Sequence, residues 1–306
     1  MIKFTLLRLA QAIPVLFTVI TATFFLIRQA PGGPFDAEKP VIPAVKRALE
    51  AKYNLDLPMW QQYTHYLGDL LRGDMGPSFK YPGWAVHDLI LSGLPATAEL
   101  AFYALLVAVV IGVLAGVSAA LKPNTARDYV PMSLAMLGIC MPTFLLGPLL
   151  VLIFGFWLDW LPISGWGDLP GDKILPSVTL GAAYAAYVAR LTRGGMLEVL
   201  NQDYIRTAKA KGLSTFQVIK NHALKNALNP VVTAISGWFA SMQAGAVFVE
   251  YIFGWNGLGK EIVNALNTQD LPVIMGSVLV IALCFIFLNI LVDVIYARLD
   301  PRVKLN

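Results

Sequence analysis

The sequence predicts an all-α, polytopic membrane protein with six transmembrane helices, and three observations support this fold class. Of its 306 residues, 57% are hydrophobic and only 14% are charged, whereas soluble domains carry about 25% charged residues. Six runs contain no charged residue and lie near or above the length of about 20 residues that spans a bilayer. The short segments between these runs differ sharply in their content of lysine and arginine. A large soluble core is therefore disfavoured.

The six uncharged runs set the order of the predicted helices. They comprise residues 9–27, 100–121, 129–158, 174–189, 226–249 and 271–292. The first run resembles the apolar part of a signal peptide, but it is long for one, and Arg28 stands where a small residue would flank a cleavage site. We therefore expect a retained helix. The third run contains Pro131, Pro142 and Pro148, which predict a broken span because proline frees a backbone carbonyl.

The distribution of lysine and arginine indicates the orientation. With the N-terminus inside, the inner segments hold most of these residues, and the two short outer loops hold only Lys173 and Lys260. Lysine and arginine are enriched in the cytoplasmic loops of membrane proteins. We therefore predict that both termini and the basic stretch 201–230 are cytoplasmic. The predicted organisation is a first transmembrane helix at 1–28, an extracytoplasmic segment at 29–97, a five-helix core at 98–298 with helices at 201–228 on its cytoplasmic side, and a cytoplasmic tail at 299–306.

The outer segment 29–97 is too long for a plain connection. Two stretches within it, 43–53 and 59–71, predict short amphipathic helices. Two interpretations stay open and are compatible with each other. The segment is a cap on the membrane surface, or it is a docking platform for an extracytoplasmic partner.

The basic stretch 201–230 lies between two apolar runs. Asp203 predicts a helix start, and Gly212 suits a left-handed cap after the last turn of that helix. Ser214 and Gln217 have the spacing of a capping box for a second helix. The residues predicted to share the apolar face of this second helix are Phe216, Ile219, Ala223, Leu224 and Ala227. The stretch therefore predicts helix, glycine turn and helix at a membrane surface.

The chain lacks the residue patterns of an enzyme. His65, His87 and His222 have no metal-ligand spacing, and no nucleotide-binding or nucleophile–base motif is found. Cys140 and Cys284 lie in apolar runs, where thiols act as small hydrophobic groups. Ionisable residues are nearly absent from the spans, whereas ion-coupled carriers use polar relay groups there. We therefore expect no catalytic residue, no metal and no bound cofactor, with energy supplied by another subunit.

At this point the sequence resembles a known family. Residues 204–213, YIRTAKAKGL, resemble the cytoplasmic coupling motif of ABC importer permeases in the peptide/nickel branch. Residues 218–230 continue the match, and shorter matches extend from Arg8 to the terminal Asp-Pro-Arg at 300–302. The resemblance implies a type I ABC importer permease fold in the inner (cytoplasmic) membrane.

The resemblance also implies the partners. They are a second homologous permease subunit forming a heterodimer, two ABC ATPase subunits that bind Mg-ATP, an extracytoplasmic peptide-binding protein and the lipid bilayer. The residues implied to dock onto an ATPase are Asp203, Tyr204, Ile205, Arg206, Thr207, Ala208, Lys209, Ala210, Lys211, Gly212 and Leu213. The general family motif begins Glu-Ala-Ala where this chain has Arg-Thr-Ala at 206–208. An ion pair from that glutamate is therefore absent here.

The function implied is import of oligopeptides by mechanical coupling. Closure of the partner ATPases would move the docked helices, and rigid spans would convert that movement into alternating access. Dipeptides, nickel and glutathione stay open as substrates of the same branch, and a self-contained channel or secondary carrier is the alternative of a different class. A nucleic-acid reader is disfavoured because the basic stretch is tethered at both ends to membrane spans. We therefore expect no nucleic-acid partner.

The substrate pathway has three candidate residues. Pro142 lies in the broken third run, and Ser241 and Gln243 are polar residues of the fifth run. For each of them, ordinary helix packing or hydrogen bonding between helices is the alternative interpretation.

Overall fold

The computed structural model describes residues 2–29 and 43–299. Within these ranges the regular structure is helical, apart from one β-bridge between Pro77 and Ala85. The helices are α1 (Ile2–Gln29), α2 (Pro43–Lys52), α3 (Met59–Leu71), α4 (Val86–Leu121), α5 (Ala126–Cys140), α6 (Thr143–Leu150), α7 (Ile174–Leu200), α8 (Asp203–Ala210), α9 (Thr215–Val218), α10 (Leu224–Ala227), α11 (Asn229–Phe253), α12 (Leu258–Thr268) and α13 (Leu271–Leu299). π-helical turns at Val151–Trp157 and Ile219–Ala223 extend α6 and join α9 to α10. The predicted tail beyond residue 299 lies outside the described residues.

Six stretches of the described chain correspond to the six predicted spans. Four are single helices that are long and apolar enough to cross a membrane, namely Leu6–Gln29, Val86–Leu121, Ile174–Leu200 and Leu271–Leu291. The other two are bent pairs: Ala126–Cys140 with Thr143–Trp157, bent by 115°, and Asn229–Ile235 with Gly237–Phe253, bent by 45°. Counting each bent pair as one span gives the predicted number.

The break in the third span lies at Pro142. The residue before a proline is pushed out of the helical region by the proline ring, and Met141 accordingly has φ −98° and ψ 120°. Pro142 then precedes the first turn of α6, and its carbonyl accepts hydrogen bonds from the N–H groups of Leu145 and Leu146 at 2.9 Å. Pro131 and Pro148 lie inside α5 and α6, which continue through them. The predicted break is therefore confirmed at one of three prolines.

The chain comprises two compact units, which are described separately. The first contains the described residues 2–29, 43–96 and 256–290. Its core packs residues of α4, α12 and α13, namely Val86, Ile90, Leu258, Ala265, Val273 and Ile274. The predicted amphipathic helices of the outer segment are present as α2 and α3.

Asp270 holds a loop of the first unit against the start of α13. Its buried carboxylate accepts a hydrogen bond from the Ser78 hydroxyl at 2.5 Å and from the N–H groups of Phe79 and Lys80 at 3.1 and 3.2 Å. A carboxylate can accept several such bonds, so the burial of its charge is compensated. The loop after α3 is therefore bound to a residue far along the chain.

The second unit contains the described residues 97–255 and 291–299. Small residues let α4 and α7 approach backbone to backbone. A Cβ added at Gly181 would lie 2.6 Å from the carbonyl oxygen of Ala104, and one added at Gly116 would lie 2.6 Å from that of Ala189. Such contacts are typical of helix pairs in membranes, where tight packing replaces hydrophobic association.

Candidate functional site

The basic stretch folds as helix, glycine turn and helix, as predicted. The first helix, α8, begins at Asp203, and its last turn is closed by the Gly212 N–H, which donates to the Lys209 carbonyl at 3.0 Å. Gly212 has φ +82°, the left-handed region in which glycine is unstrained. The capping box is also present: the Gln217 N–H donates to Ser214 Oγ at 3.3 Å, and the Ser214 N–H donates to Gln217 Oε1 at 2.9 Å.

The inner face of α8 anchors the helix to the second unit. Ile205 is fully buried and Ala208 nearly so. They belong to a hydrophobic cluster whose other buried members are Ala120, Met196, Val199, Val218, Ala223 and Ala227. These residues come from the end of α4, the end of α7 and the second helix, so α8 shares one apolar core with three elements. The link between α8 and α7 therefore runs through this shared cluster.

The outer face of α8 is exposed and polar. Its exposed residues are Asp203, Tyr204, Arg206, Thr207, Lys209, Ala210, Lys211 and Gly212, while Leu213 is half-buried. Arg206 lies 3.4 Å from Asp203, but both side chains are largely exposed, so this pair contributes little to stability. The Tyr204 hydroxyl accepts a hydrogen bond from Asn226 Nδ2 at 2.9 Å. The face therefore combines cations with a positioned aromatic ring.

The second helix differs from the prediction at Phe216. Ala223 and Ala227 are buried and Ile219 and Leu224 are half-buried, as expected, but the Phe216 side chain is 71% exposed. The π-helical turn Ile219–Ala223 inserts an extra residue and brings Val218 onto the buried side instead. Phe216 therefore adds an exposed aromatic ring to the turn after α8, which the regular helical period did not predict.

Gly195 allows the second helix to lie close to α7. A side chain at this position would collide with the carbonyl oxygen of Ala227 in α10. In the chain α7 precedes α8, and α10 follows it and leads into α11. Both neighbours continue as spans of the membrane core, so the basic stretch is attached to the core at both ends.

A two-point ion pair joins α7 to α5 in the same unit. Arg193 Nε and Nη2 donate to the two carboxylate oxygens of Asp128 at 2.7 Å each, and the Asn124 N–H donates to the same carboxylate at 2.9 Å. Asp128 is only 2% exposed. Neither residue was a site prediction, because the partners lie far apart in sequence.

The predicted pathway residues are not joined to one another. Pro142 is exposed at the break between α5 and α6, and Ser241 is exposed on α11, where its hydroxyl donates to the Gly237 carbonyl at 2.9 Å. Gln243 is half-buried on α11. Their role in a substrate pathway stays a prediction. Among the described residues, no three His, Cys, Asp or Glu side chains are grouped so that they could hold a metal ion.

Sequence comparison identifies similar proteins over the full length. The family model described as "Binding-protein-dependent transport system inner membrane component" matches residues 79–305. The chain is 45% identical over 305 residues to the oligopeptide transport system permease protein OppB of Haemophilus influenzae and of Escherichia coli K12, covering 99% of this chain and 100% of each relative. It is 44% identical over 291 residues to the dipeptide transport system permease protein DppB of Bacillus subtilis, covering 95% of this chain and 94% of that protein.

Two solved structures share the fold. The MetNI methionine ABC transporter, in inward-facing conformations, aligns with a TM-score of 0.57 and 17% identity over 69% of this chain and 96% of that chain. An amino acid ABC transporter, crystallised with histidines, aligns with a TM-score of 0.52 and 18% identity over 69% of this chain and 94% of that chain. At these identities the likeness concerns the fold alone. It confirms the predicted ABC importer permease fold.

Proposed function

The chain belongs to the family of binding-protein-dependent transport system inner membrane components, and on that premise we propose that it is the permease subunit of an ABC importer of oligopeptides. The observation that supports oligopeptides as the substrate is the full-length identity of 45% to the two OppB permeases. Family membership makes the chain a multi-pass inner membrane protein and agrees with a non-catalytic subunit. The alternative of a self-contained channel or carrier does not agree with this membership.

Dipeptide import is the second candidate. The DppB permease of Bacillus subtilis is 44% identical to this chain, nearly as similar as the OppB permeases. Both candidates involve peptides and differ only in length. Nickel and glutathione are the other substrates of the branch. None of the relatives described above is named as a permease for either of them.

We infer that α8 is the coupling helix and that its exposed face docks onto a partner ATPase that binds Mg-ATP. Three features support this proposal: the cations and Tyr204 on the outer face, the burial of Ile205 and Ala208 on the inner face, and the exposed Phe216 beside the turn. Exposed aromatic rings and arginine are typical of interface centres. Because the inner face belongs to the shared hydrophobic cluster, a force on the outer face would move α8 together with that cluster.

The mechanism follows from these attachments. Movement of α8 acts on α7 through the shared cluster. The Asp128–Arg193 pair carries the movement of α7 to α5, which ends at the break before Pro142. The 115° bend at that break divides the third span into two separately oriented parts. We propose that alternating access arises from reorientation of such spans, with both termini and α8 on the cytoplasmic side.

The complete importer would contain this chain, a second homologous permease subunit, two ATPases and an extracytoplasmic peptide-binding protein. The test is reconstitution of this complex in proteoliposomes, with uptake of labelled di-, tri- and pentapeptides compared with uptake of nickel. We expect ATP-dependent uptake of peptides and no ATP hydrolysis by the purified chain alone. ATP-independent uptake, or a preference for nickel over every peptide, would contradict the proposal.

A further inference from the structure

The first unit contains an open pocket of about 200 Å³ at the C-terminal end of α1. This volume lies below the range of about 300–1,000 Å³ that is usual for small-molecule sites, so the pocket suits only a short ligand. Side chains of α1, the segment between α2 and α3, α3, the loop after α3 and α13 line it, among them Arg28, Tyr53, Tyr66, Asp69, Phe79 and Met275. In the proposed orientation the pocket lies on the extracytoplasmic side, where peptides arrive.

Arg28 supplies a cation to this pocket, and none of the described residues forms an ion pair with it. Its guanidinium stacks over the Phe24 ring at 3.6 Å, its Nε donates to Gln62 Oε1 at 3.2 Å, and its Nη1 lies 3.4 Å from both the Phe24 carbonyl oxygen and the Met275 sulfur. All these partners are neutral, and no carboxylate of residues 2–29 and 43–299 lies within ion-pair distance of it. The carbonyl end of α1 offsets part of the charge. Partly buried charges are usually paired in proteins, so this guanidinium suits a ligand that carries a negative group.

The acidic and phenolic neighbours do not supply that negative charge. Burial raises the pKa of Tyr66 to about 12, although the nearby Arg28 guanidinium acts in the opposite direction, so the phenol is neutral at physiological pH. Asp69 lies on the same pocket wall but not within ion-pair distance of Arg28, and its 3.8 Å pair with Arg72 is exposed and weak, so its charge stays available to a ligand. Asp74 also lines the pocket, and its Oδ1 accepts the Gly76 N–H at 2.8 Å.

We propose that this pocket binds a short peptide by its terminal carboxylate, with the carboxylate at Arg28 and the ammonium group toward Asp69 and Asp74. A guanidinium fork matches the two oxygens of a carboxylate. The carboxylates of Asp69 and Asp74 on the pocket wall complement a positively charged group. A zwitterionic peptide has such a group, whereas a simple anion lacks it. The rings of Tyr53, Tyr66 and Phe79 offer apolar surface to peptide side chains. The supply of peptide to the pocket rests on the proposed function, whereas the recognition of a carboxylate does not.

The test measures binding to the full-length chain in nanodiscs, without any peptide-binding protein. Trialanine and trialanine amide are titrated by calorimetry, so that only the terminal carboxylate differs. We expect the amide to bind at least about 10-fold more weakly, since hydrogen bonds to a charged group are lost. Equal binding of the two ligands, or no binding of trialanine, overturns the proposal. Displacement of trialanine by acetate at equal concentration also overturns it, because the site would then recognise an anion only.

Two variants give an independent comparison. Arg28→Gln removes the charge and is expected to weaken trialanine binding at least about 10-fold. Lys80→Gln removes an exposed cation of the same unit whose side chain does not line the pocket, and it should bind trialanine as the wild type does. Equal affinity of Arg28→Gln and the wild type overturns the proposal. If Arg28→Gln fails to fold, the comparison of acid with amide on the wild type still decides.

Uptake by the complete importer separates this proposal from the proposed function. Intact peptide uptake with no binding at Arg28 would overturn the pocket alone. Trialanine binding at Arg28 in an importer that takes up no peptide would overturn the proposed function alone.

Discussion

Asp128 and Arg193 form a fork-to-fork ion pair, with two N–H donors of one guanidinium 2.7 Å from the two oxygens of one carboxylate. The pair joins the start of α5 to the C-terminal third of α7. Lysine retains the charge of arginine but cannot make both bonds in this geometry. The pair is therefore a specific, geometrically defined attachment between two spans and more than an attraction of opposite charges.

Arg193→Lys is expected to lower the unfolding midpoint by several degrees and to reduce peptide uptake, because one of two well-aligned bonds to a buried carboxylate is lost. Thermal unfolding of the purified chain and uptake by the complete importer measure these effects. Arg206→Lys is the matched control for stability, since its pair with Asp203 is exposed. A similar loss of stability in both variants would contradict the structural role of the buried pair.

Gly212→Pro is expected to abolish transport while the protein still inserts in the membrane. Proline has φ near −65° and no N–H, whereas Gly212 has φ +82° and donates to the Lys209 carbonyl. Gly212→Ala should be milder, with a cost of about 1–2 kcal/mol for a left-handed residue. Gly194→Ala, where a new Cβ would meet no atom within 4 Å, is the control. Normal uptake by Gly212→Pro would refute the coupling assignment.

Phe216→Ala is expected to reduce the amount of ATPase that copurifies with the chain and to leave its stability nearly unchanged. The ring is exposed, so its removal creates no cavity. Ile205→Ala provides the contrast: it removes a fully buried side chain and should cost about 2–5 kcal/mol. Affinity copurification and thermal unfolding measure the two effects. Unchanged ATPase recovery with Phe216→Ala would exclude this ring from the interface.

Glu261→Gln is expected to stabilise the protein at neutral pH. Burial raises the pKa of Glu261, and Lys260 acts in the opposite direction. A carboxyl with a raised folded-state pKa favours folding below its unfolded pKa of about 4.3, and this contribution is lost as the pH rises through the folded value. The variant should match the wild type in acid and exceed it at neutral pH. Unfolding midpoints across this pH range test the sign, with the exposed Glu198→Gln as control.

Asp270→Ala is expected to release the loop that contains Ser78. The Ser78 hydroxyl and two N–H groups would lose their acceptor, at a cost of about 1–3 kcal/mol. Limited proteolysis between residues 76 and 85 should become faster. Asp88→Ala, which removes a half-exposed carboxylate of the same unit, should leave cleavage unchanged. Equal protection of the loop in both variants would contradict its dependence on Asp270.

Local sequence patterns were sufficient to predict the features in which a residue constrains the backbone of its own segment. Gly212 predicted the turn because few other residues adopt its φ. Ser214 and Gln217 predicted the capping box because their partners lie three residues apart, and Pro142 predicted the break because it constrains the preceding residue. The six spans followed from runs of uncharged residues in the same way.

Features that depend on distant partners were not predictable from spacing. The Asp128–Arg193 pair and the contacts of Asp270 join residues with no local pattern. The setting of Arg28 likewise depends on α3 and α13, which approach it only in the folded chain. For Phe216 the regular helical period was assumed, and a single π-helical turn changed which residues are buried.

That π-helical turn lets the second helix lose one residue without changing which side faces the core. Val218 and Ala223 are five residues apart and share the buried side because the turn holds an extra residue. Deletion of the exposed Asn221 would leave them four residues apart, which is the spacing of one face in a regular α-helix. Phe216 would then keep its direction relative to α10, whereas the same deletion from a regular α-helix would rotate everything before it by about 100°.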